Sequence, residues 1–282
     1  MPLHGHGWKP AQITRPIKSI GTSTAPVRVE AELGDGYLKA LGNPEGPHAL
    51  ARELVGSMLA EWLGLPTFDF SLIDVNDDDE ILFARGGKAE PGPAFITRAV
   101  ADGFQWGGSP RHLKSVVNRM EISGLVIIDT WTLNDDRCAP DRKKVHRDNV
   151  FLVQSQERKR GLQVVAMDFT HAFRGGQDIN RRLANIENIR DEKIYGLFPE
   201  FESVLDREAV KRLATSLSGF RRTDAERIVR TVPAAWEVDK DGRHAMASLI
   251  TQRAHFLAER IESMLSMLWP ERLQLGFEGG TE

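Results

Sequence analysis

Cysteine is almost missing from this chain, which has 282 residues and one cysteine, Cys138. A single cysteine excludes an internal disulfide framework and a zinc site that is built from several thiolates. It also fits a protein of the reducing cytoplasm, where disulfides are rare.

An excess of charge of either sign is missing too, because the formal net charge is −3. Charge alone therefore predicts no attraction to nucleic acid or to an anionic membrane. No apolar run approaches the roughly 18 residues of a membrane span, and the first residues lack the pattern of a signal peptide. The apolar fraction of 41% and the charged fraction of 27% are typical of a soluble globular protein.

The first hundred residues have the pattern of a small β-rich lobe, with strands predicted at residues 13–20, 27–33 and 37–41. The first two strands are separated by the small-residue turn Gly21-Thr22-Ser23-Thr24, and the third carries Lys39. Backbone N–H groups of such a turn can approach phosphate oxygens, and a lysine adds a mobile positive charge. The pattern is that of a nucleotide-phosphate clamp, although a solvated hairpin with an exposed lysine has the same sequence features.

An amphipathic helix is predicted at residues 48–63. Packed beside the third strand, it would bring Glu53 to Lys39; Glu53 is equally explained as a solvated acid near the helix start. A strand pair at residues 68–75 and 81–85 and a last strand at 95–100 complete this lobe, whose boundary we place at residue 100.

Residues 101–282 are predicted to form a second, mainly helical lobe, so that the fold class is α+β. Helices are predicted at residues 113–133, 207–218, 223–232 and 244–268. Thr223 and Glu226 have the spacing of a capping box. The tail from residue 276 is predicted to fray.

The centre of the sequence carries the residues for chemistry. The long predicted helix runs into Asn134-Asp135-Asp136-Arg137, and two apolar strand-like runs follow, one beginning at Asn149 and one ending at Asp168. An amide oxygen and a carboxylate are ligands that Mg²⁺ accepts. Asp136 lies upstream, where it could take a proton from a hydroxyl. Phosphoryl transfer needs this set of one base or positioning acid and two metal ligands.

A triplet further along the chain, His146-Arg147-Asp148, is an alternative location for the catalytic acid. In eukaryotic protein kinases, the metal-binding asparagine follows the aspartate of this triplet about five residues later. That position is Val153 here, and Asn149 directly follows Asp148. Neighbouring residues of a strand point to opposite faces, so we expect Asp136, and not Asp148, to be catalytic.

The ordered set of motifs resembles the HipA-like kinases. The resemblance lies in ELVGSMLAEWLGLP at residues 53–66, IIDTWTLNDDR at 127–137 and VVAMDFTHAF at 164–173, and it covers roughly residues 13–180. It implies a bilobal protein-kinase-like fold and transfer of phosphate from ATP with magnesium, most often to a protein serine or threonine.

The same resemblance implies roles for the N-terminal residues. Lys39 would contact the α- and β-phosphates, with Glu53 as its partner. Gly21, Thr22 and Ser23 would cover the phosphates. The strand that carries Arg98 would lead into the hinge at the adenine, which makes Arg98 a candidate for nucleotide binding.

In the C-terminal lobe the resemblance implies that Asp136 is the catalytic acid and that Asn149 and Asp168 bind magnesium. One departure from the family is the interval from Asp136 to Asn149, which is thirteen residues and longer than usual. The inserted residues 138–144 end in a basic run. They either contact a substrate or form a solvated excursion, which is the commoner fate of a charge run.

Neighbouring polar residues have structural interpretations as well. Asp129 and Asp135 are expected to tie the loop to nearby N–H groups. Arg137 is expected in a structural ion pair, although it could instead hold the loop or pair with Asp168. His171 is expected to order its loop or to add a third polar group near the metal.

Three hypotheses on function remain open from the sequence. The first is an active kinase, the second is an ATP-binding pseudokinase or interaction module, and the third is a kinase of a small molecule or lipid head group, because fold does not fix substrate. The expected partner is a protein or small-molecule acceptor, without nucleic acid or membrane. HipA-type toxins carry an additional N-terminal region that engages an antitoxin. This chain begins close to the first kinase strand, so neither a toxin role nor an antitoxin partner is expected.

Overall fold

The N-terminal part of the chain folds as one antiparallel sheet. The structure is a computed structural model that describes residues 7–269 except 157, 159 and 160. The predicted frayed tail therefore lies outside the described residues. The sheet order is β1-β2-β3-β5-β4. Its strands are β1 (Ile13–Ser19), β2 (Val27–Ala31), β3 (Gly36–Lys39), β4 (Phe70–Val75) and β5 (Gly92–Arg98).

Helix α1 (Pro47–Trp62) lies between β3 and β4 in the chain and begins with a proline at its first helical position. Residues 49–60 are all buried, including the charged side chains of Arg52 and Glu53. The helix was predicted as amphipathic, but over these residues it has no exposed face. A helix that is covered on every side lies between two layers, and here those layers are the sheet and the C-terminal helices.

Packing explains this position of α1. Phe70 and Phe95 point from the sheet into the large core that includes α1, whereas Ile73 and Ile96 point to a smaller core on the opposite face. This alternation is the period of two that strands impose.

The rest of the chain is helix-rich, with one small sheet of order β6-β7-β8. These strands are β6 (Gly103–Gln105), β7 (Phe151–Gln154) and β8 (Leu162–Val165). The α-helices are α2 (Pro110–Ser115), α3 (Met120–Thr132), α4 (Ile186–Ile189), α5 (Arg207–Ser218), α6 (Arg222–Arg230) and α7 (Lys240–Met264). Single 3₁₀ turns lie at Arg147–Asn149, Arg181–Ala184, Pro199–Phe201, Ala234–Trp236 and Ser266–Leu268.

Two predicted elements differ from the structure. The predicted helix over 113–133 is interrupted, because Asn118 uses its side-chain amide to bind both the N–H and the C=O of Val164, at 2.9 and 3.1 Å. The predicted strand at 81–85 does not pair with β4, whose partner is β5. It forms a single bridge, between Leu82 and Lys88.

Helix starts in the C-terminal part also differ from prediction. The capping box at Thr223 is wrong, because α6 begins at Arg222 and the Asp224 carboxylate accepts from the N–H of Arg221 at 3.3 Å. The last long helix begins at Lys240, where the Asp239 carboxylate accepts from the N–H of Gly242 at 2.6 Å. Asp239 follows the preference of short polar side chains for the N-cap position, whereas Asp224 is an acid within the first turn of α6.

The sheet and the helical part touch at a second place besides α1. The indole N–H of Trp236 donates to the carbonyl of Pro93 on β5 at 2.8 Å. The predicted lobe boundary at residue 100 falls between β5 and β6 and stays a prediction. None of the helices in the described part of the chain has both the length and the apolar character that crossing a membrane requires.

Candidate active site

Three charged side chains from three separate segments of the chain meet at one place. The ammonium of Lys39, the last residue of β3, lies 2.9 Å from Glu53 Oε2 on α1 and 3.1 Å from Asp168 Oδ1 after β8. Lys39 is opposite Phe95 in the sheet register, and Phe95 packs into the core that includes α1. Because paired residues share a face, the register directs Lys39 toward Glu53. The solvated alternatives for Lys39 and Glu53 are therefore excluded.

The backbone around Asp168 is fixed by close contacts. Asp168 has a φ of 61°, in the left-handed region, and the next N–H, of Phe169, donates to Glu53 Oε2 at 3.0 Å. Gly56 of α1 faces Phe169 so closely that a Cβ there would lie 2.3 Å from the Phe169 Cβ. Only hydrogen fits at this position, so Gly56 allows the segment after Asp168 to dock on α1.

Burial and charge act against each other on these groups. Burial would raise the pKa of Asp168, but the Lys39 ammonium and the hydrogen bonds from Lys39 and Thr170 outweigh it and hold the pKa at about 2. Burial lowers the pKa of Lys39, and the two carboxylates more than reverse this effect. Asp168 is therefore ionised and Lys39 is protonated at neutral pH.

Asp136 forms a second group of polar contacts. Its Oδ1 lies 2.8 Å from the ammonium of Lys144 and 3.1 Å from Nδ1 of His146. Its Oδ2 accepts from Nδ2 of Asn149 at 2.5 Å and lies 3.6 Å from Nδ1 of His171. Burial would raise the pKa of Asp136, but the contacts with Lys144 and His171 lower it below its usual range. The predicted base and one predicted metal ligand are thus brought together.

Arg137 connects this group with the segment before Asp168. It is fully buried and forms two bonds to the Asp129 carboxylate, at 2.7 and 3.0 Å. Its remaining nitrogen donates to the carbonyls of Asn149 and Met167, at 2.8 and 2.6 Å. The expected structural ion pair is confirmed, with Asp129 as the partner. The Arg137 guanidinium therefore joins two backbone segments. One carries the predicted magnesium ligand Asn149, and the other directly precedes the predicted ligand Asp168.

The inserted residues form a short hairpin. The N–H of Ala139 donates to Lys144 O at 2.9 Å, the N–H of His146 donates to Arg137 O at 2.8 Å, and Cys138 forms a bridge with Val145. The expectation of a solvated excursion is wrong for the end of this run, because Lys144 reaches Asp136. Sequence reasoning left Lys144 and His146 out of the site, although the basic run at residues 142–144, between Asp136 and Asn149, was a visible signal.

Asp148 lies outside this group. It sits in the 3₁₀ turn Arg147–Asn149, and its residue is exposed, whereas Asp136 is 8% exposed. The 3₁₀ turn replaces the strand that was expected here. It still separates the side chains of Asp148 and Asn149, because Asn149 bonds to Asp136.

The predicted phosphate turn connects β1 with β2. Gly21, Thr22 and Ser23 are exposed and Thr24 is buried. The loop is closed by a bond from Ala25 N–H to Thr22 O at 3.1 Å, and Gly21 O accepts from Arg85 at 2.8 Å. The exposed backbone suits a phosphate contact, and that role stays a prediction.

Arg98 lies at the end of β5, opposite Gly36, three residues along the strand from the partner of Lys39. Its side chain is half exposed and forms an ion pair with Asp69 at 3.3 Å. The structure does not bring Arg98 into the Lys39 group, and its role in nucleotide binding stays a prediction.

The donor set fits magnesium. Asp168 offers a carboxylate, and Asn149 offers its amide oxygen because its Nδ2 is turned to Asp136; both are hard oxygen ligands. Among the described residues, no group of three or more His, Cys, Asp and Glu side chains is arranged to hold a metal. A magnesium ion here would therefore use two protein ligands and complete its shell with water and phosphate oxygens.

Comparisons with known proteins place this geometry in context. A family model described as HipA-like kinase matches residues 15–269. The structure resembles the Helicobacter pylori proinflammatory kinase CtkA with a TM-score of 0.58 and 12% identity, over 90% of this chain and 99% of that one. A mutant of the Mycobacterium tuberculosis PknI kinase domain gives a TM-score of 0.29 at 15% identity, over 86% of this chain and 95% of that one. Comparison with curated proteins gives no match. The likeness to CtkA confirms the predicted α+β kinase-like fold, with an antiparallel sheet followed by a helix-rich region.

Proposed function

This chain belongs to the HipA-like kinases, and from that premise we propose that it transfers the γ-phosphate of ATP, with magnesium, to a serine or threonine of a protein. Family membership implies phosphoryl transfer and the use of ATP. The single observation that carries the proposal of phosphoryl transfer is the meeting of Lys39, Glu53 and Asp168 in one largely buried cluster, beside a second cluster around Asp136.

The cluster of Lys39, Glu53 and Asp168 would form the nucleotide side of the site, where it would bind phosphate. Glu53 orients the Lys39 ammonium, which stays protonated and would contact the α- and β-phosphates. In kinases, magnesium neutralises charge on the phosphates when it is bound, and Asp168 and Asn149 would hold it here. Preorganised charges of this kind stabilise a transition state without having to reorganise during the reaction.

Asp136 would receive the acceptor hydroxyl. The direction of its pKa keeps it ionised at neutral pH, so that it can accept a hydrogen bond from the hydroxyl and fix its direction of attack. A lowered pKa also makes it a weak base. Because the transition state of phosphoryl transfer is loose, we propose that Asp136 mainly orients the hydroxyl and takes its proton late.

A second function has an observation in its favour. The Lys144 ammonium occupies the Asp136 carboxylate, which is compatible with an ATP-binding module that transfers nothing. Transfer to a small molecule instead of a protein would use the same Asp136 and Asp168, so the acceptor has to be identified by experiment.

The test is incubation of the purified protein with γ-labelled ATP and magnesium, followed by mass spectrometry of the protein. We expect phosphate on a serine or threonine in the wild type, and a loss of at least about a hundredfold in Asp136→Ala and Asp168→Ala. Asp148→Ala is the matched control and should retain transfer. Thermal unfolding checks that each variant is folded.

Full activity in both Asp136→Ala and Asp168→Ala would refute the proposal. Absence of transfer in the wild type, together with a magnesium-dependent thermal shift by ATP, would support the binding module or a small-molecule acceptor.

A further inference from the structure

The carboxylate of Asp136 already has several partners within the protein. An ionised carboxylate has about four positions for hydrogen-bond donors. Lys144, His146 and Asn149 lie within 3.1 Å of its oxygens, and His171 lies at 3.6 Å. Both Lys144 and His146 contact Oδ1, so an acceptor hydroxyl that approaches this oxygen must displace one of them before it can bond there.

The exposed approach to Asp136 is lined by the hairpin. The side chains of Lys144 and His146 are 38% and 50% exposed, whereas Asp136 and His171 are 11% and 17% exposed. Lys144 and His146 both contact Oδ1, so the Oδ1 side faces solvent. Asn149 is held at its backbone by Arg137. His146 is anchored by the bond from its N–H to Arg137 O at 2.8 Å, whereas Lys144 reaches Asp136 through a flexible four-carbon side chain. The group that a hydroxyl can most easily replace is therefore Lys144.

Other basic residues of this region already have partners. Arg142 forms an ion pair with Glu202, and Arg147 forms one with Glu200 at 2.8 Å. Lys144 differs because its partner is the proposed catalytic carboxylate itself, with Asp135 more distant at 3.8 Å. A lysine that gives up this contact keeps its charge and can bind a further anion beside Asp135.

We propose that Lys144 makes the acceptor site selective for a serine or threonine that is flanked by aspartate or glutamate. The inference rests on the proposed kinase function and adds the class of its substrate. A carboxylate of the acceptor binds the Lys144 ammonium and draws it from Asp136 Oδ1, which the acceptor hydroxyl then occupies. An acceptor without an acidic neighbour leaves Lys144 on Asp136 and competes poorly for the same oxygen.

Peptide libraries test this exchange directly. Each library has a central serine and degenerate flanks, with one flanking position fixed as Asp and Glu, or as the matched amides Asn and Gln. Labelling with γ-labelled ATP is compared for wild type, Lys144→Met, Lys144→Arg and Lys143→Met. Lys143 is the matched control, because it lies next in sequence, is 87% exposed and pairs with Asp141.

We expect the wild type to prefer acidic over amide libraries by about tenfold or more at one position at least, since a charge-assisted hydrogen bond distinguishes them. Lys144→Met should lose this preference, while Lys144→Arg and Lys143→Met keep it. The KM for ATP should be unchanged in Lys144→Met, because the lysine contacts Asp136 and not the Lys39 cluster.

Two outcomes separate the inference from the proposed function. Equal labelling of acidic and amide libraries by the wild type, or the same preference in Lys144→Met as in wild type, overturns the role of Lys144 and leaves the kinase intact. Absence of labelling of every library by the wild type refutes the protein acceptor and this inference with it.

Discussion

The proposed nucleotide side of the site, around Lys39, and the proposed acceptor side, around Asp136, are built differently. On the nucleotide side, Lys39 and Glu53 are 13% and 4% exposed and come from separate elements. On the acceptor side, Lys144 and His146 are 38% and 50% exposed and come from one hairpin next to Asp136 in sequence. The first set depends on the packing of the sheet, α1 and the Asp168 segment, whereas the second can change without repacking a core. Changes on the nucleotide side should therefore cost stability, and changes on the acceptor side should alter selectivity.

The largest effect is expected where the two sides are joined, at Arg137. Arg137→Met leaves the Asp129 carboxylate buried without its partner and frees the carbonyls of Asn149 and Met167. We expect the free energy of unfolding, measured with urea, to fall by about 3–5 kcal/mol. Arg15→Met is the control, because Arg15 and Glu30 form an exposed pair, and it should cost less than about 1 kcal/mol. Similar losses in both variants would contradict a joining role for Arg137.

Gly56→Ala tests the nucleotide side alone. The added Cβ must displace Phe169, and overpacking of this kind costs about 1–3 kcal/mol. The N–H of Phe169 would also move away from Glu53, so transfer should fall by at least about tenfold. Gly21→Ala is the control for stability, because its Cβ would lie 4.0 Å from Ala84. Wild-type stability and activity in Gly56→Ala would show that the contact is not close in solution.

The pH dependence of stability should report on Asp168. Its folded pKa of about 2 is depressed relative to an unfolded value of about 3.9. Its contribution is therefore complete above pH 4 and disappears as the pH falls toward 2. We expect wild type to lose about 2 kcal/mol in this window that Asp168→Asn does not lose. Urea titrations at several acidic pH values measure the difference, and parallel curves for the two proteins would contradict it.

The smallest effect is expected on the acceptor side. Lys144→Met removes one of the contacts that lower the pKa of Asp136, so this pKa should rise. The acid limb of the pH profile of kcat/KM should then move to higher pH, measured with a peptide that has no acidic residue. Lys143→Met should keep the wild-type profile. Coincident profiles for Lys144→Met and wild type would show that the ammonium does not act on Asp136 during turnover.

The sequence was sufficient for those parts of the site whose chemistry is local. Four site residues each lie next to an apolar run with a clear period: Lys39, Asp136, Asn149 and Asp168. Their order along the chain predicted a sheet, a helix-rich part and a set of residues for phosphoryl transfer. The structure brings Lys39 to Asp168 and Asn149 to Asp136, while their functional roles stay predictions.

Features that depend on distant contacts could not be predicted. The period of α1 showed an apolar face, but its second buried face exists only because the C-terminal helices cover it. Asn118 ends a helical pattern because the edge of β8 offers it a donor and an acceptor. Lys144 was seen as one charge of a solvated run, since nothing in the local pattern shows that the hairpin folds back on Asp136.

The bond from Trp236 to Pro93 has a mechanical consequence. It ties the strand that neighbours Lys39 to a turn that directly precedes α7, on an indole that is fully buried. Because Phe95, the register partner of Lys39, lies two residues from Pro93, the bond holds the Lys39 end of the sheet against this turn. Loss of the indole would therefore loosen the sheet at the end that carries Lys39, so that a substitution far along the chain would act on the candidate site through the backbone of β5.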